Sequence, residues 1–179
     1  MRISHNPILK AISAAYIEFI RGTPVMVQLF IVYYGLSTMG IKFPEVSILG
    51  SNFPDLMAGV TALSINSAAY VAEIVRAGIQ AVDKGQMEAA RSLGLNYSMS
   101  MKAIVLPQAI KNILPALGNE FIAIIKESSI VSIIGIHELM YNTDTVRGNT
   151  FKPFEPLIVT AVIYFVITFT LSTVIKAFE

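Results

Sequence analysis

The sequence predicts an all-α protein, built as a polytopic bundle of transmembrane helices. Of its 179 residues, 54% are apolar and only 14% are charged, and the mean hydropathy is +0.65. An average soluble domain has about 25% charged residues. The apolar residues are also gathered into long stretches, and crossing a bilayer takes about 20 such residues. We therefore expect one transmembrane domain over residues 1–179.

Four stretches are the predicted spans, at residues 11–36, 56–79, 109–136 and 154–178. The first is not a cleaved signal peptide, because charged residues interrupt its apolar part. The second is rich in small and polar residues, and the third contains a proline, a glycine and charged side chains. Membrane helices of that polarity usually face protein or water, since charged groups are costly in lipid. The fourth is the most apolar.

The connectors between the spans set the orientation. The second connector, residues 80–108, holds three basic residues, whereas the first and third hold few. Short loops rich in Lys and Arg stay on the cytoplasmic side of a membrane. We therefore expect the second connector and both chain ends to be cytoplasmic, with the other two connectors outside.

Composition also excludes several classes of partner. The formal net charge is only +1, so no broad basic surface indicates nucleic acid. The sequence has no cysteine, which excludes disulfides and thiolate metal sites. Its two histidines, His5 and His137, are far apart and form no metal-binding pattern.

The second connector predicts a helix, a turn and a second helix. Residues 86–93, QMEAARSL, favour helix by intrinsic propensity. Gly94 is placed to end this helix in the left-handed conformation, and Asn96 or Ser98 can cap the next one. Pro107 then marks a boundary or a kink. The result is a short helix lying across the cytoplasmic face.

This short helix has two interpretations on its residues alone. Ala89 and Ala90 are small, so a partner backbone can approach closely. Met87 and Leu93 can fill a groove, since methionine adapts to irregular shapes. These features favour a docking helix, but a structural re-entry loop that covers the helix ends remains equally open.

The second span carries a polar face. Asn66, Tyr70 and Glu73 follow the i, i+4, i+7 pattern and therefore lie on one side of a helix. This side either lines a transport pathway or packs against other helices through interhelical hydrogen bonds. Glu73, near the cytoplasmic end, can simply pair with Arg76 three residues later.

The third span is interrupted by KESS, residues 126–129. Ser128 and Ser129 can divert backbone hydrogen bonds and open the helix. In one interpretation, Lys126 and Glu127 form a local ion pair that stabilises the break. In the other, the opened backbone and the serines hold the α-amino and α-carboxyl groups of an amino acid.

Asp144 lies just outside the third span, in a connector that can fold back over a pathway. A carboxylate there can receive the cationic side chain of arginine, lysine or histidine through charge-assisted hydrogen bonds. The alternative is a solvated loop acid paired with Arg147. The candidate substrate-binding residues are therefore Asn66, Tyr70, Lys126, Glu127, Ser128, Ser129 and Asp144.

The polar connector also resembles a known motif. Residues 88–107 resemble the EAA motif of ATP-binding-cassette importer permeases, which has seven fixed positions over 20 residues. These positions are Glu88-Ala89-Ala90, then after three residues Gly94, after nine more Ile104, and after one more Leu106-Pro107. The stretches AYIEFIRGTPVMVQLFIVYYGL, AAYVAEIVRAGI and TFKPFEPL are similar to the polar amino acid branch of that family. The resemblance extends over about residues 11–164.

The resemblance implies a type I importer permease fold and a set of partners. The EAA segment would be a coupling helix within residues 79–108 that docks on a cytoplasmic ATPase subunit through Glu88, Ala89, Ala90 and Gly94. The sequence has no G-x-x-x-x-G-K-[ST] motif, so the chain needs no cofactor of its own and the partner would bind ATP and magnesium. The other implied partners are an extracytoplasmic amino-acid-binding protein, a second copy or a sister permease, and the lipid of a bacterial inner membrane.

The resemblance also implies a missing segment. Permeases of this branch typically have five spans, and residues 1–10 look like the loop that follows the first of them. We therefore expect four spans here, with the first span of the family absent from this chain.

Two further classes of function compete with this hypothesis. A secondary, ion-coupled amino acid transporter would use Glu73, Lys126 and Glu127 as relay groups, but such carriers usually contain internal repeats, which we do not find. A membrane enzyme needs a nucleophile–base pair or a metal cluster, and the sequence offers neither. The leading hypothesis is the membrane subunit of an ATP-driven importer for a polar, and through Asp144 a basic, amino acid, working by alternating access.

Overall fold

The computed structural model describes residues 6–41, 43–44 and 52–177, and all regular structure within them is helical. The α-helices are α1 Pro7–Gly22, α2 Val25–Thr38, α3 Phe53–Gln80, α4 Lys84–Ser92, α5 Tyr97–Ser100, α6 Leu106–Glu127, α7 Leu139–Thr150 and α8 Glu155–Ala177. A π-helical segment, Met101–Val105, precedes α6, and a 3-10 helix, Ser128–Ile134, follows it. The predicted all-α class is confirmed. His5, part of the predicted first connector and the end of the last predicted span lie outside the described residues.

The predicted first span is divided into two helices. α1 and α2 meet at a bend of 107°, and only together do they have the length and hydropathy of a membrane span. Thr23 between them is extended, with φ −116° and ψ 143°. Pro24 has no N–H to donate to the preceding turn, so it begins a new helix. The continuous stretch 11–36 is thus a bent pair.

The other predicted spans differ in how clearly the structure identifies them. α3 and α8 are each long and apolar enough to cross a membrane. α6 is long enough but too polar to be identified by composition, because it carries Lys111, Glu120 and Lys126. In the described part of the chain, composition therefore identifies two spans, or three with the bent pair, against the four that we predicted.

α3 is the centre of the bundle, and α1, α2 and α6 pack around it. Small residues on α3 allow this close approach, as is common between membrane helices. Gly78 lies against Ile113 of α6, and Gly59 lies against Val131 of the 3-10 helix. Leu29, Ala62, Val131 and Ile134 form a buried apolar cluster that joins α2, α3 and the 3-10 helix. This cluster fixes the segment after α6 against the rest of the fold.

Candidate functional site

The helix break predicted at KESS is present, but it has a different form. α6 ends at Glu127 and the chain tightens into a 3-10 helix, whereas we expected an opened backbone. The hydroxyl of Ser128 donates to the carbonyl of Ile125 at 2.7 Å, and that of Ser132 donates to the carbonyl of Ser129 at 2.7 Å. Serine hydroxyls therefore satisfy carbonyls that an opened helix would have offered to a ligand.

An open cavity of about 570 Å³ lies between this break and α7. Four predicted substrate-binding residues line it: Lys126, Glu127, Ser129 and Asp144. They come from two segments that are separate in sequence, so the fold is what brings them together. Ser128 is not among the lining residues, and its hydroxyl is used within the chain.

The charges of this cavity are not all paired with one another. In the described part of the chain, no ion pair joins Lys126 to Glu127, so the local pair considered from the sequence is not formed. Asp144 does accept a hydrogen bond from Arg147 at 2.5 Å, and the Asp144 side chain is 53% exposed. The alternative of a pair three residues apart is therefore real, and a substrate role for Asp144 stays a prediction.

The polar face of α3 packs against the bend between α1 and α2. Asn66 is only 5% exposed, and its amide donates to the side-chain oxygen of Gln28 at 3.0 Å. Gln28 in turn donates to the carbonyl of Ile20 at 2.7 Å and to the hydroxyl of Thr23 at 2.9 Å. This geometry favours the interhelical hydrogen-bond alternative for Asn66. A substrate role for it stays a prediction, and it does not line the cavity at the break.

The same face continues towards the far end of α3. The guanidinium of Arg21 lies over the ring of Tyr70, 5.4 Å from its centroid. Glu73 accepts from Nε of Arg76 at 2.9 Å, which confirms the pair predicted on the helix, and Arg21 approaches Glu73 at 4.0 Å. Tyr70 is therefore a neighbour of the α1–α3 contact, and its substrate role also stays a prediction.

Sequence reasoning missed two polar residues. Gln28 lies within an apolar stretch, and no sequence pattern around it predicts its hydrogen bonds to the bend. Glu120 of α6 is half-buried and accepts a hydrogen bond from Ser67 of α3 at 3.3 Å. The sequence alone could have identified Glu120 as a candidate, because an ionisable residue inside a predicted span indicates a function or a specific partner.

The EAA segment has the predicted helix–turn–helix form. Gly94 ends α4 in the left-handed conformation, with φ +85°. Its amide donates to the carbonyl of Arg91, and the amide of Leu95 donates to that of Ala90, which is the paired bonding of a Schellman motif. The side chain of Asn96 caps the next helix by accepting from the amide of Met99 at 2.9 Å.

The start of α6 follows from Pro107. Proline has no N–H, so the carbonyl four residues before it loses its usual partner. The chain responds with a π-helical segment, in which the amide of Leu106 donates to the carbonyl of Met101. The predicted boundary at Pro107 is thus confirmed, and its form is an extra residue in the preceding turn.

Only part of α4 is available to a partner. Leu93 is 84% exposed, and Glu88 and Ala89 are exposed as well. Ala90 is only 4% exposed, so the expectation that a partner approaches it is not supported. Gln108 of α6 donates to Gln86 of α4 at 3.2 Å and so ties the segment to the bundle.

Comparison with known proteins decides the family. Residues 1–179 match the sequence pattern of a protein family described as "Binding-protein-dependent transport system inner membrane component". The chain belongs to this family of transport permeases. The arginine transport system permease protein ArtQ of Bacillus subtilis is 47% identical over 164 residues, which are 92% of this chain and 71% of that relative. The probable glutamine ABC transporter permease protein GlnM of the same organism is 41% identical over 179 residues, which are 100% of this chain and 78% of that relative.

A solved structure supports the fold of this permease. A crystal structure of an amino acid ABC transporter with histidines matches with a TM-score of 0.89 at 52% identity, covering 100% of this chain and 79% of that one. The resemblance to ABC importer permeases and the type I importer permease fold are therefore confirmed. Family membership also argues against the secondary transporter and the membrane enzyme.

Proposed function

We propose that this permease forms the pathway of an ATP-driven importer for a basic amino acid, in a bacterial inner membrane. The observation that carries the proposal is the cavity at the α6 break, which gathers three charged residues and two serines. An amino acid bound there would place its α-carboxylate near Lys126 and its α-ammonium near Glu127. Charge-assisted hydrogen bonds of this kind are the strong ones.

The charge of the cavity supports a basic side chain. Lys126 and Glu127 offset each other, as do the two backbone charges of an amino acid. A cationic substrate side chain would then bind the half-exposed carboxylate of Asp144 in competition with Arg147. The names of the relatives are consistent with polar amino acids, since ArtQ is named for arginine and GlnM for glutamine. The similar solved transporter is described with histidines.

The exposed side of α4 supports coupling to a separate ATPase. α4 presents Glu88 and Ala89, and the highly exposed Leu93 follows it directly, so the segment offers an apolar tip on a polar surface. In the proposed cycle, ATP and magnesium are bound by two ATPase subunits, each docked on one permease. The second permease is another copy or a sister chain, and an extracytoplasmic binding protein delivers the amino acid. Nucleotide binding then shifts the permeases between inward-open and outward-open states.

The test is binding of labelled arginine, histidine, glutamine and glutamate to the permease reconstituted with its ATPase. We expect arginine or histidine to bind best, and Asp144→Asn to weaken the basic amino acids about tenfold or more. Glutamine binding should change little. Glu155→Gln is the matched control, because Glu155 is an exposed carboxylate at the start of α8 that does not line the cavity.

Two results would overturn parts of the proposal. If glutamine binds as tightly as arginine and Asp144→Asn changes neither, the basic substrate class is wrong. If uptake proceeds without an ATPase partner, the coupled-importer function is wrong.

A further inference from the structure

A second, smaller cavity lies where α2 ends and α3 begins. Its volume is about 260 Å³, and three aromatic residues line it with one carboxylate: Tyr33, Tyr34, Phe43 and Asp55. α3 has 28 residues and α4 follows its other end, so the cavity lies roughly 40 Å from the coupling segment at a rise of 1.5 Å per residue. None of its lining residues belongs to the cavity at the α6 break.

The aromatic rings form a corner. The rings of Tyr33 and Tyr34 are 4.9 Å apart between centroids and inclined at 79°. Both rings line the cavity, so they present aromatic surfaces of two different orientations to it. Tyr34 is 60% exposed, so it is open to a ligand. Asp55 lines the same cavity as the two rings and adds a carboxylate to it.

This combination is the chemistry that recognises an organic cation. The face of an aromatic ring attracts a cation through its quadrupole, and aromatic boxes bind ammonium groups in this way. The carboxylate of Asp55 adds a full opposite charge. Among the described residues that line the cavity there is no lysine or arginine, so this negative charge has no basic neighbour in the lining.

We infer that this cavity is a second binding site, for the guanidinium or ammonium group of a basic amino acid before it reaches the cavity at the α6 break. The inference rests on the proposed function for the substrate class. In the predicted orientation, the ends of α2 and α3 that form the cavity face the outside, where the binding protein releases its cargo. The substrate would then bind first at this outer cavity and afterwards at the cavity at the α6 break.

A simpler role for Asp55 does not account for the whole arrangement. Asp55 lies in the first turn of α3, where a carboxylate stabilises the helix N-terminus. That role requires neither the perpendicular rings nor the cavity between them. The substitution Asp55→Asn separates the two roles, because asparagine still suits a helix start, but it no longer attracts a cation.

The experiment is equilibrium binding of radiolabelled arginine to the purified complex of permease and ATPase, without binding protein, with the stoichiometry counted per permease. We expect two sites in the wild type. We expect Asp55→Asn and Asp144→Asn each to leave one site unchanged and to weaken the other about tenfold or more. Tyr34→Leu should weaken the same site as Asp55→Asn without changing charge, and it replaces that variant if Asp55→Asn does not fold.

The outcomes separate this inference from the proposed function. One wild-type site, removed by Asp144→Asn and untouched by Asp55→Asn and Tyr34→Leu, would overturn the inference and leave the proposed function standing. One site that depends on Asp55 alone would support the inference and count against Asp144 as the cation ligand. Two sites that neither Asp55→Asn nor Tyr34→Leu affects would overturn the inference as well. Binding of no arginine at all would overturn both.

Discussion

The buried amide pair of Gln28 and Asn66 is predicted to stabilise the bend between α1 and α2. Gln28→Leu removes the acceptor of the Asn66 amide and the donor to the Ile20 carbonyl. A buried group left without a partner costs about 1–3 kcal/mol in water-soluble proteins. Interhelical hydrogen bonds in membranes average only about 0.6 kcal/mol. Gln28→Leu also removes the bonds to the carbonyl and hydroxyl of Thr23, so four hydrogen bonds are lost in all. Because one Gln28 amide group makes three of these bonds, we expect the free energy of unfolding to fall by about 1–3 kcal/mol.

The assay is reversible unfolding of the purified permease in mixed micelles, for Gln28→Leu, Asn66→Leu and the double variant. We expect each single change to destabilise and the double change to cost less than their sum, because it removes both partners of one hydrogen bond. Thr170→Val is the control, since that hydroxyl donates to a carbonyl of its own helix, Val166, at 2.7 Å. The reasoning is refuted if Asn66→Leu leaves stability unchanged but weakens substrate binding about tenfold, for then Asn66 is a ligand.

Three further predictions concern α4, the α3–α6 contact and α7. Leu93→Asp should abolish stimulation of the ATPase in the reconstituted complex without lowering the melting temperature of the permease, because Leu93 is 84% exposed; equal losses of both would contradict a docking role. Gly78→Ala should cost about 1–3 kcal/mol in an unfolding titration, since its new methyl group would overlap the side chain of Ile113, whereas Gly148→Ala has open space and should be neutral. Arg147→Gln should leave arginine affinity equal or higher, because it frees the carboxylate on α7 that we assign to substrate; a loss as large as that of Asp144→Asn would instead identify the ion pair as structural.

Where local chemistry decided the structure, the sequence was enough. The end of α4 at Gly94, the cap at Asn96 and the boundary at Pro107 each depend on one residue type whose backbone preference dominates its neighbours. The pair of Glu73 and Arg76 likewise lies on a single helix, where spacing alone brings the two side chains together. The spacing of the EAA motif, which also lies within one short segment, was enough to predict the family.

Where a second element was needed, the sequence was not enough. The role of Asn66 depends on Gln28, 38 residues earlier, and nothing along the chain encodes that these two side chains meet. The serines of KESS correctly marked a break, but the apolar cluster around Val131 holds the following turn against α2 and α3. The segment therefore tightens into a 3-10 helix, and it does not open. The polarity of α6 also makes composition a poor guide to whether it spans the membrane.

The arrangement of α6 indicates how movement at α4 would reach the substrate in the proposed function. α6 begins beside α4, through the bond from Gln108 to Gln86, and ends at the cavity, roughly 33 Å away at 1.5 Å per residue. Pro115 lies inside it and cannot donate to the carbonyl four residues before. α6 alone is therefore expected to bend at Pro115, so that a displacement of its first turn is not fully transmitted to its end. The close contact of Gly78 with α6, before Pro115, ties α6 to the uninterrupted α3. We therefore expect α3 and α6 to move as one body, so that bulk added at Gly78 impairs coupling as well as stability.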